Sequence, residues 1–139
     1  MNICGLSIYR QKTMTQFKCL VLEDSLSDQL SIEMVLCQFP EIETCYISTP
    51  TDFLQEIASK QYNLIIVDIH LQSSVTGIEL IQTLKNAGLW VIICSSYDSG
   101  MYYEQYKSLP LTKFYLQKPL DEFVFRTHLE SFLFAKANC

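Results

Sequence analysis

Six consecutive residues, Asn63-Leu64-Ile65-Ile66-Val67-Asp68, constrain this chain more than any other stretch. Four apolar residues, three of them β-branched and all set between turn-forming flanks, read as a strand buried on both faces, the kind found inside a parallel sheet. Asp68 closes it. A carboxylate at the carboxyl end of a central parallel strand stands where open α/β sheets bind their ligands, and it is equally the residue that caps a strand or opens a turn. Taken alone, Asp68 supports both readings.

The rest of the chain repeats that unit. Phe17 to Leu22, Ile42 to Ser48, Trp90 to Cys94 and Lys113 to Gln117 are four further apolar runs of strand length. Helical stretches separate them. Ser25 with Asp28 resembles a capping arrangement for a helix whose Leu26, Leu30, Met34 and Cys37 fall on one face, and Pro40 ends it. Thr49-Pro50-Thr51-Asp52 reads as N-cap, first-turn proline and acidic first turn, with Phe53, Ile57 and Ala58 on the apolar side. Gly77 opens a helix carrying Ile78, Ile81 and Leu84, with Gly88 as its C-cap. Tyr97 to Leu109 is a weaker helix bearing Tyr102, Tyr103 and Tyr106, and the last helix follows Asp121-Glu122 with Phe125, Leu129, Phe132 and Leu133 inward. Five strands alternating with five helices call for a parallel sheet covered on both sides.

Length and charge narrow what such a fold does. At 139 residues the chain makes one domain, 17–136, preceded by an N-terminal extension, 1–16, whose order the sequence leaves open. Ten basic residues against 15 acidic ones leave a net charge of -5, and without a basic face a nucleic-acid partner is not expected. No apolar run is long enough to cross a bilayer and the first residues lack a signal-peptide pattern, so the expected location is cytoplasmic. The cysteines (Cys4, Cys19, Cys37, Cys45, Cys94, Cys139) form no C-x-x-C pair, and several sit in apolar segments, which fits buried free thiols.

In a parallel sheet the strand ends meet at one edge. Glu23, Asp24, Asp68, Ser95 and Lys118 occupy those ends. Three carboxylates in one cleft repel each other, and a divalent cation relieves that repulsion. Magnesium, which takes oxygen ligands and keeps several waters, suits the edge better than zinc or calcium. A hydroxyl and an ammonium opposite it would meet the remaining oxygens of a phosphoryl group.

With L-E-D-S after the first strand, V-D after the third, C-S-S after the fourth and Q-K-P after the fifth, Phe17 to Ala135 resembles the receiver domain of two-component response regulators, of the stand-alone CheY-like kind. The resemblance implies a flavodoxin-like (βα)5 fold, a doubly wound five-stranded parallel sheet of order 2-1-3-4-5. It implies that Asp68 is the phosphoacceptor, receiving a phosphoryl group from a sensor histidine kinase or a histidine phosphotransfer protein. Glu23, Asp24, Asp68 and the backbone carbonyl of His70 would hold Mg2+, and Lys118 and Ser95 would contact the phosphoryl oxygens. Ser95 and Tyr115 would be the switch pair, with His70 and Tyr97 tuning phosphoryl lifetime. Such a domain assists its own phosphorylation and dephosphorylation rather than acting as an enzyme on a separate substrate. Its output would pass through the face formed by the fourth helix, fifth strand and fifth helix, to an unknown protein target or in a homodimer. With no effector after Cys139, output is expected through protein contact.

The chain departs from the family pattern in one loop. Asp68 to Gly77 is one residue longer than usual, and Gln72 and Ser73 stand in the region where a proline is customary. That loop keeps a phosphorylation-independent pseudo-receiver, a scaffold that docks partners, as the alternative. A phosphatase of the haloacid dehalogenase type would need a second Asp where His70 stands, and no G-x-G-x-x-G follows any strand.

Overall fold

The computed structural model describes residues 16–71, 75–84, 86, 88–96 and 102–138. The loop residues Gln72 and Ser73, the lifetime candidate Tyr97, Cys4, Cys139 and residues 1–15 of the extension lie outside the described residues. In chain order the elements are β1 (Phe17–Leu22), α1 (Leu26–Leu36), β2 (Ile42–Ile47), α2 (Pro50–Ser59), β3 (Leu64–Asp68), α3 (Gly77–Gln82), β4 (Trp90–Ser95), α4 (Tyr103–Lys107), β5 (Thr112–Gln117) and α5 (Glu122–Ala137). All paired strands are parallel, in the order β2-β1-β3-β4-β5, so the flavodoxin-like topology expected from the sequence is the one observed.

Two cores flank the sheet, as alternating side chains require. On one side Leu20, Leu22, Ile65, Val67, Val91 and Ile93 meet Phe53 of α2 and Ile78 and Ile81 of α3. On the other, Cys19, Val21, Leu64, Ile66, Ile92 and Cys94 meet Ile32, Val35 and Leu36 of α1 and Phe125, Leu129 and Phe132 of α5. Every residue of β3 is buried, which is the double coverage its apolar run predicts.

Helix starts follow local chemistry. Thr49 accepts from the Asp52 amide at 3.1 Å, with Pro50 in the first turn, and Asp121 accepts from the Val124 amide at 3.1 Å. Thr76 and Glu79 close a reciprocal capping box: Thr76 Oγ1 accepts from the Glu79 amide, and the Glu79 carboxylate accepts from the Thr76 amide. Gly77 is required for a different reason. A Cβ there would lie 2.1 Å from the Asp68 carbonyl oxygen, because the first turn of α3 rests directly on the end of β3, with the Gly77 amide donating to Ile69 O at 3.0 Å.

Some expectations are corrected. On α1 the stripe Leu26, Leu30, Met34 and Cys37 is exposed, and Ile32, Val35 and Leu36 face the core. The helix carries two apolar stripes, and periodicity alone does not choose between them. Ala58 of α2 is exposed, and Leu133 of α5 is only partly buried. The third helix stops at Gln82 with Thr83 as its C-cap, so its C-cap is not Gly88. Cys19 and Cys94 are the buried free thiols expected, Cys45 is half-buried, and Cys37 is exposed. Among the described residues no helix is long and apolar enough to cross a membrane.

Candidate functional site

Each polar site residue is delivered by a strand whose apolar neighbours lock it. Asp68 ends β3 on the same side as Leu64 and Ile66, so the packing that buries those two also aims its carboxylate at the α1 and α5 side of the sheet. Glu23 directly follows β1, and its amide donates to Ile47 O at 3.1 Å. Lys118 directly follows β5, where its amide donates to Ser95 O at 2.7 Å and its peptide bond to Pro119 is cis. One edge of the sheet therefore gathers Asp68, Glu23 and Lys118.

Carboxylate oxygens of Glu23, Asp24 and Asp68 lie within 4.8 Å of one another. Glu23 and Asp68 are buried and Asp24 is partly exposed. Burial pushes the Glu23 carboxyl above its ordinary range, and the charge of Asp68 adds to this against the bond from Lys118. Burial likewise raises Asp68, opposed by Lys118 and by the His70 amide, which donates to Asp68 Oδ1 at 3.3 Å, and reinforced by Asp24. Both buried acids thus carry an electrostatic cost that a nearby cation offsets.

Lys118 supplies part of that compensation. Its ammonium lies 2.8 Å from Glu23 Oε1, 2.8 Å from Asp28 Oδ2 and 3.4 Å from Asp68 Oδ2. Burial draws its pKa down, but the bonds to Asp28 and Glu23 and the charge of Asp68 more than reverse this and hold it above the lysine range. Asp28 is the site residue the sequence reading missed. Read only as a capping partner, it does donate its amide to Ser25 Oγ at 3.4 Å, while its carboxylate accepts from Lys118 and the Ser25 amide donates instead to Glu23 Oε2 at 3.1 Å. A signal was present: Asp28 stands at i, i+4, i+7 and i+8 with Ile32, Val35 and Leu36, so it tops the buried stripe of α1.

The remaining candidates are placed as follows. Ser95 is fully buried at the end of β4 and Ser96 is exposed, which separates two neighbours the sequence left ambiguous. His70 is exposed, with its ring edge-on to Tyr102 at 5.3 Å between centroids. Tyr115 is half-buried on β5 and packs edge-to-face on Tyr106 at 5.9 Å. Trp90 begins β4 at the opposite end of the sheet, about five residues or roughly 17 Å from Ser95, so its emission is a poor reporter of the site.

The donor set suits a hard divalent cation. All three side-chain candidates offer carboxylate oxygens, clustered and in part desolvated, with no sulfur or imidazole nitrogen in the group. Addition of Mg2+ to the apo protein is expected to raise its thermal midpoint, by about 2.7 kcal/mol of linkage at a hundred times Kd, and Asp24→Asn to abolish most of the rise. A metal titration followed by melting checks this, and equal shifts in parent and variant would remove Asp24 from the site.

Comparison with known proteins agrees with the geometry. The sequence model of the response regulator receiver domain matches residues 19–130. In three dimensions the chain is similar to the signal receiver domain of an HD domain-containing protein from Pseudomonas fluorescens Pf-5, at 17% identity over 89% of this chain and 91% of that one, with a TM-score of 0.77. It is also similar to a CheY-like receiver domain protein from Methanospirillum hungatei JF-1 (20% identity, 89% and 99% covered, TM-score 0.73) and to the BeF3-activated receiver domain of DrrB from Thermotoga maritima (19%, 85% and 97%, 0.70). No curated protein is significantly similar in sequence. The family match spans most of the chain and includes the ends of β1, β3, β4 and β5 that build the acidic edge, and on that ground the chain belongs to the response regulator receiver domain family.

Proposed function

We propose that residues 17–136 form a phosphoacceptor domain of a two-component phosphorelay, in which Asp68 takes a phosphoryl group from a histidine kinase or histidine phosphotransfer protein. The observation that carries this reading is the placement of Lys118 within 3.4 Å of a buried Asp68 and beside two further carboxylates. An Asp68 oxygen attacks phosphorus in line, a new O–P bond forms, and the bond to the donor breaks with its electron pair leaving on the donor atom, an imidazole nitrogen or the oxygen of acetate. Burial of Asp68 strips water from the nucleophile, the His70 amide orients it, and Lys118 and Ser95 would meet the phosphoryl oxygens.

Asp24 and Asp68 are the direct oxygen ligands we propose for Mg2+, with the His70 carbonyl as a third. Both oxygens of Glu23 already serve Lys118 and the Ser25 amide, so Glu23 contributes chiefly by its charge. The bound ion supplies neutralisation of the transferring group. Output is proposed through the α4-β5-α5 face, where Tyr115 touches Tyr106 of α4 and the neighbouring Tyr103 is exposed, leading to a protein partner or a homodimer.

The test is incubation with Mg2+ and acetyl phosphate, read by intact mass. The BeF3 complex formed by the DrrB receiver domain makes beryllofluoride a parallel probe. A stoichiometric adduct supports the reading, steady turnover of organic phosphates supports a phosphatase, and neither supports the scaffold. His70, exposed beside Tyr102 and two residues past the acceptor, partly covers the acyl phosphate from water. His70→Ala is expected to shorten adduct half-life while leaving adduct formation intact, and equal decay in a stopped phosphotransfer assay would remove that role.

A further inference from the structure

We propose that Asp28 is a positioning residue of this site: its carboxylate holds the Lys118 ammonium back from Asp68 in the unphosphorylated protein and releases it to the arriving phosphoryl group. The inference rests on the phosphoacceptor reading of Asp68. An ammonium has three N–H donors, and here the two short bonds, both 2.8 Å, go to Glu23 and Asp28 while Asp68 receives the long contact of 3.4 Å. For Lys118 to bind a phosphoryl oxygen on Asp68, one short bond must break.

Exposure decides which one. The Glu23 side chain is 1% exposed, so losing Lys118 would strand a buried charge. The Asp28 side chain is 38% exposed, and water replaces Lys118 there at small cost. Asp28 is the partner that yields. It is also held in place by more than a flexible loop, because it lies on the stripe of α1 that buries Ile32, Val35 and Leu36 against the sheet. The exchange breaks one N–H···O bond to Asp28, forms another to a phosphoryl oxygen, and leaves a free carboxylate at the N-terminal turn of α1. That turn borders the exposed Leu26 and Leu30, so the state of Asp68 would be registered on α1 as well as on the α4-β5-α5 face.

The test compares parent, Asp28→Asn, Asp28→Glu and a charge control, Asp52→Asn, which neutralises an exposed carboxylate at the same edge of the sheet without touching Lys118. With Mg2+ and acetyl phosphate, Asp28→Asn should form the adduct roughly 2- to 5-fold faster, the range set by losing one partly exposed ion pair. Asp28→Glu and Asp52→Asn should stay at the parent rate. The side-chain 15N resonance of Lys118, identified by its loss in Lys118→Arg, should move in the parent on adding beryllofluoride. In Asp28→Asn it should already be displaced before the addition. An adduct on the parent with no acceleration in Asp28→Asn, an equal acceleration in Asp52→Asn, or a Lys118 resonance in the parent that beryllofluoride leaves in place overturns the inference. The last measurement needs no Asp28 variant to fold. Absence of any adduct on the parent overturns the phosphoacceptor reading instead, so the two failures are distinguishable.

Discussion

Asp68→Asn should yield no phosphoryl adduct under conditions that saturate the parent, and should melt at a higher temperature. Loss of the adduct follows from chemistry: a carboxamide oxygen is a poor nucleophile, and Glu23, the other buried carboxylate beside Lys118, already has one oxygen bonded to Lys118 and the other to the Ser25 amide. The gain in stability follows from electrostatics. Burial, reinforced by Asp24, raises the Asp68 carboxyl in the folded state, and burial with Asp68 raises Glu23. A carboxylate raised on folding binds its proton more readily in the native state than in the unfolded chain, so native stability falls as pH climbs from the unfolded value through the raised one. Above that window the full cost of the charged acid is present. Replacing Asp68 with a neutral isostere removes the cost, on the order of 1 kcal/mol, while Lys118 keeps Glu23 and Asp28. Melting curves in the absence of divalent cation at neutral and acid pH check both signs. The stability advantage of the variant should shrink as the pH drops, and a variant less stable than the parent at neutral pH would show that repulsion is not what the acidic edge stores.

The second large effect is expected at a residue that has no side chain. Gly77→Ala should destabilise the fold by about 3 kcal/mol, a shift in melting temperature on the order of 10 °C for a domain of this size. The added methyl would fall 2.1 Å from Asp68 O and 2.7 Å from Val67 Cγ2. One of these atoms belongs to the backbone of the central strand, which cannot rotate aside as a flexible side chain would. Relief requires either that α3 retreat, breaking the Gly77 amide bond to Ile69 O, or that the end of β3 move and take Asp68 with it. A parent-like melting temperature in Gly77→Ala would mean that α3 does not rest on β3. Slowed adduct formation in whatever fraction folds would identify the second route.

Gly77 also shows how far a sequence can be read. Its place at the start of α3 was legible, because a glycine after a polar loop and before Ile78 and Ile81 punctuates a helix. Its reason was not, since the close approach is to a carbonyl nine residues earlier in a different element. The same division runs through the site. Glu23, Asp24, Asp68 and Lys118 were legible because each ends a strand, and in a parallel sheet strand ends converge wherever the strands fall. Ser95 could not be told from Ser96 until the alternation along β4 placed one inside and the other in solvent.

What the sequence determined by itself is everything carried by near neighbours: the five apolar runs, the caps at Thr49 and Asp121, and the acidic, hydroxyl and ammonium residues at the strand ends. Only the tertiary structure decided the rotation of α1. Its two apolar stripes satisfy helical periodicity equally, and the choice of Ile32, Val35 and Leu36 over Leu26, Leu30 and Met34 is made by packing against β1 and α5. That same rotation turns Asp28 toward Lys118. Periodicity describes a helix about its own axis, whereas the direction a face points is settled by the sheet it must cover.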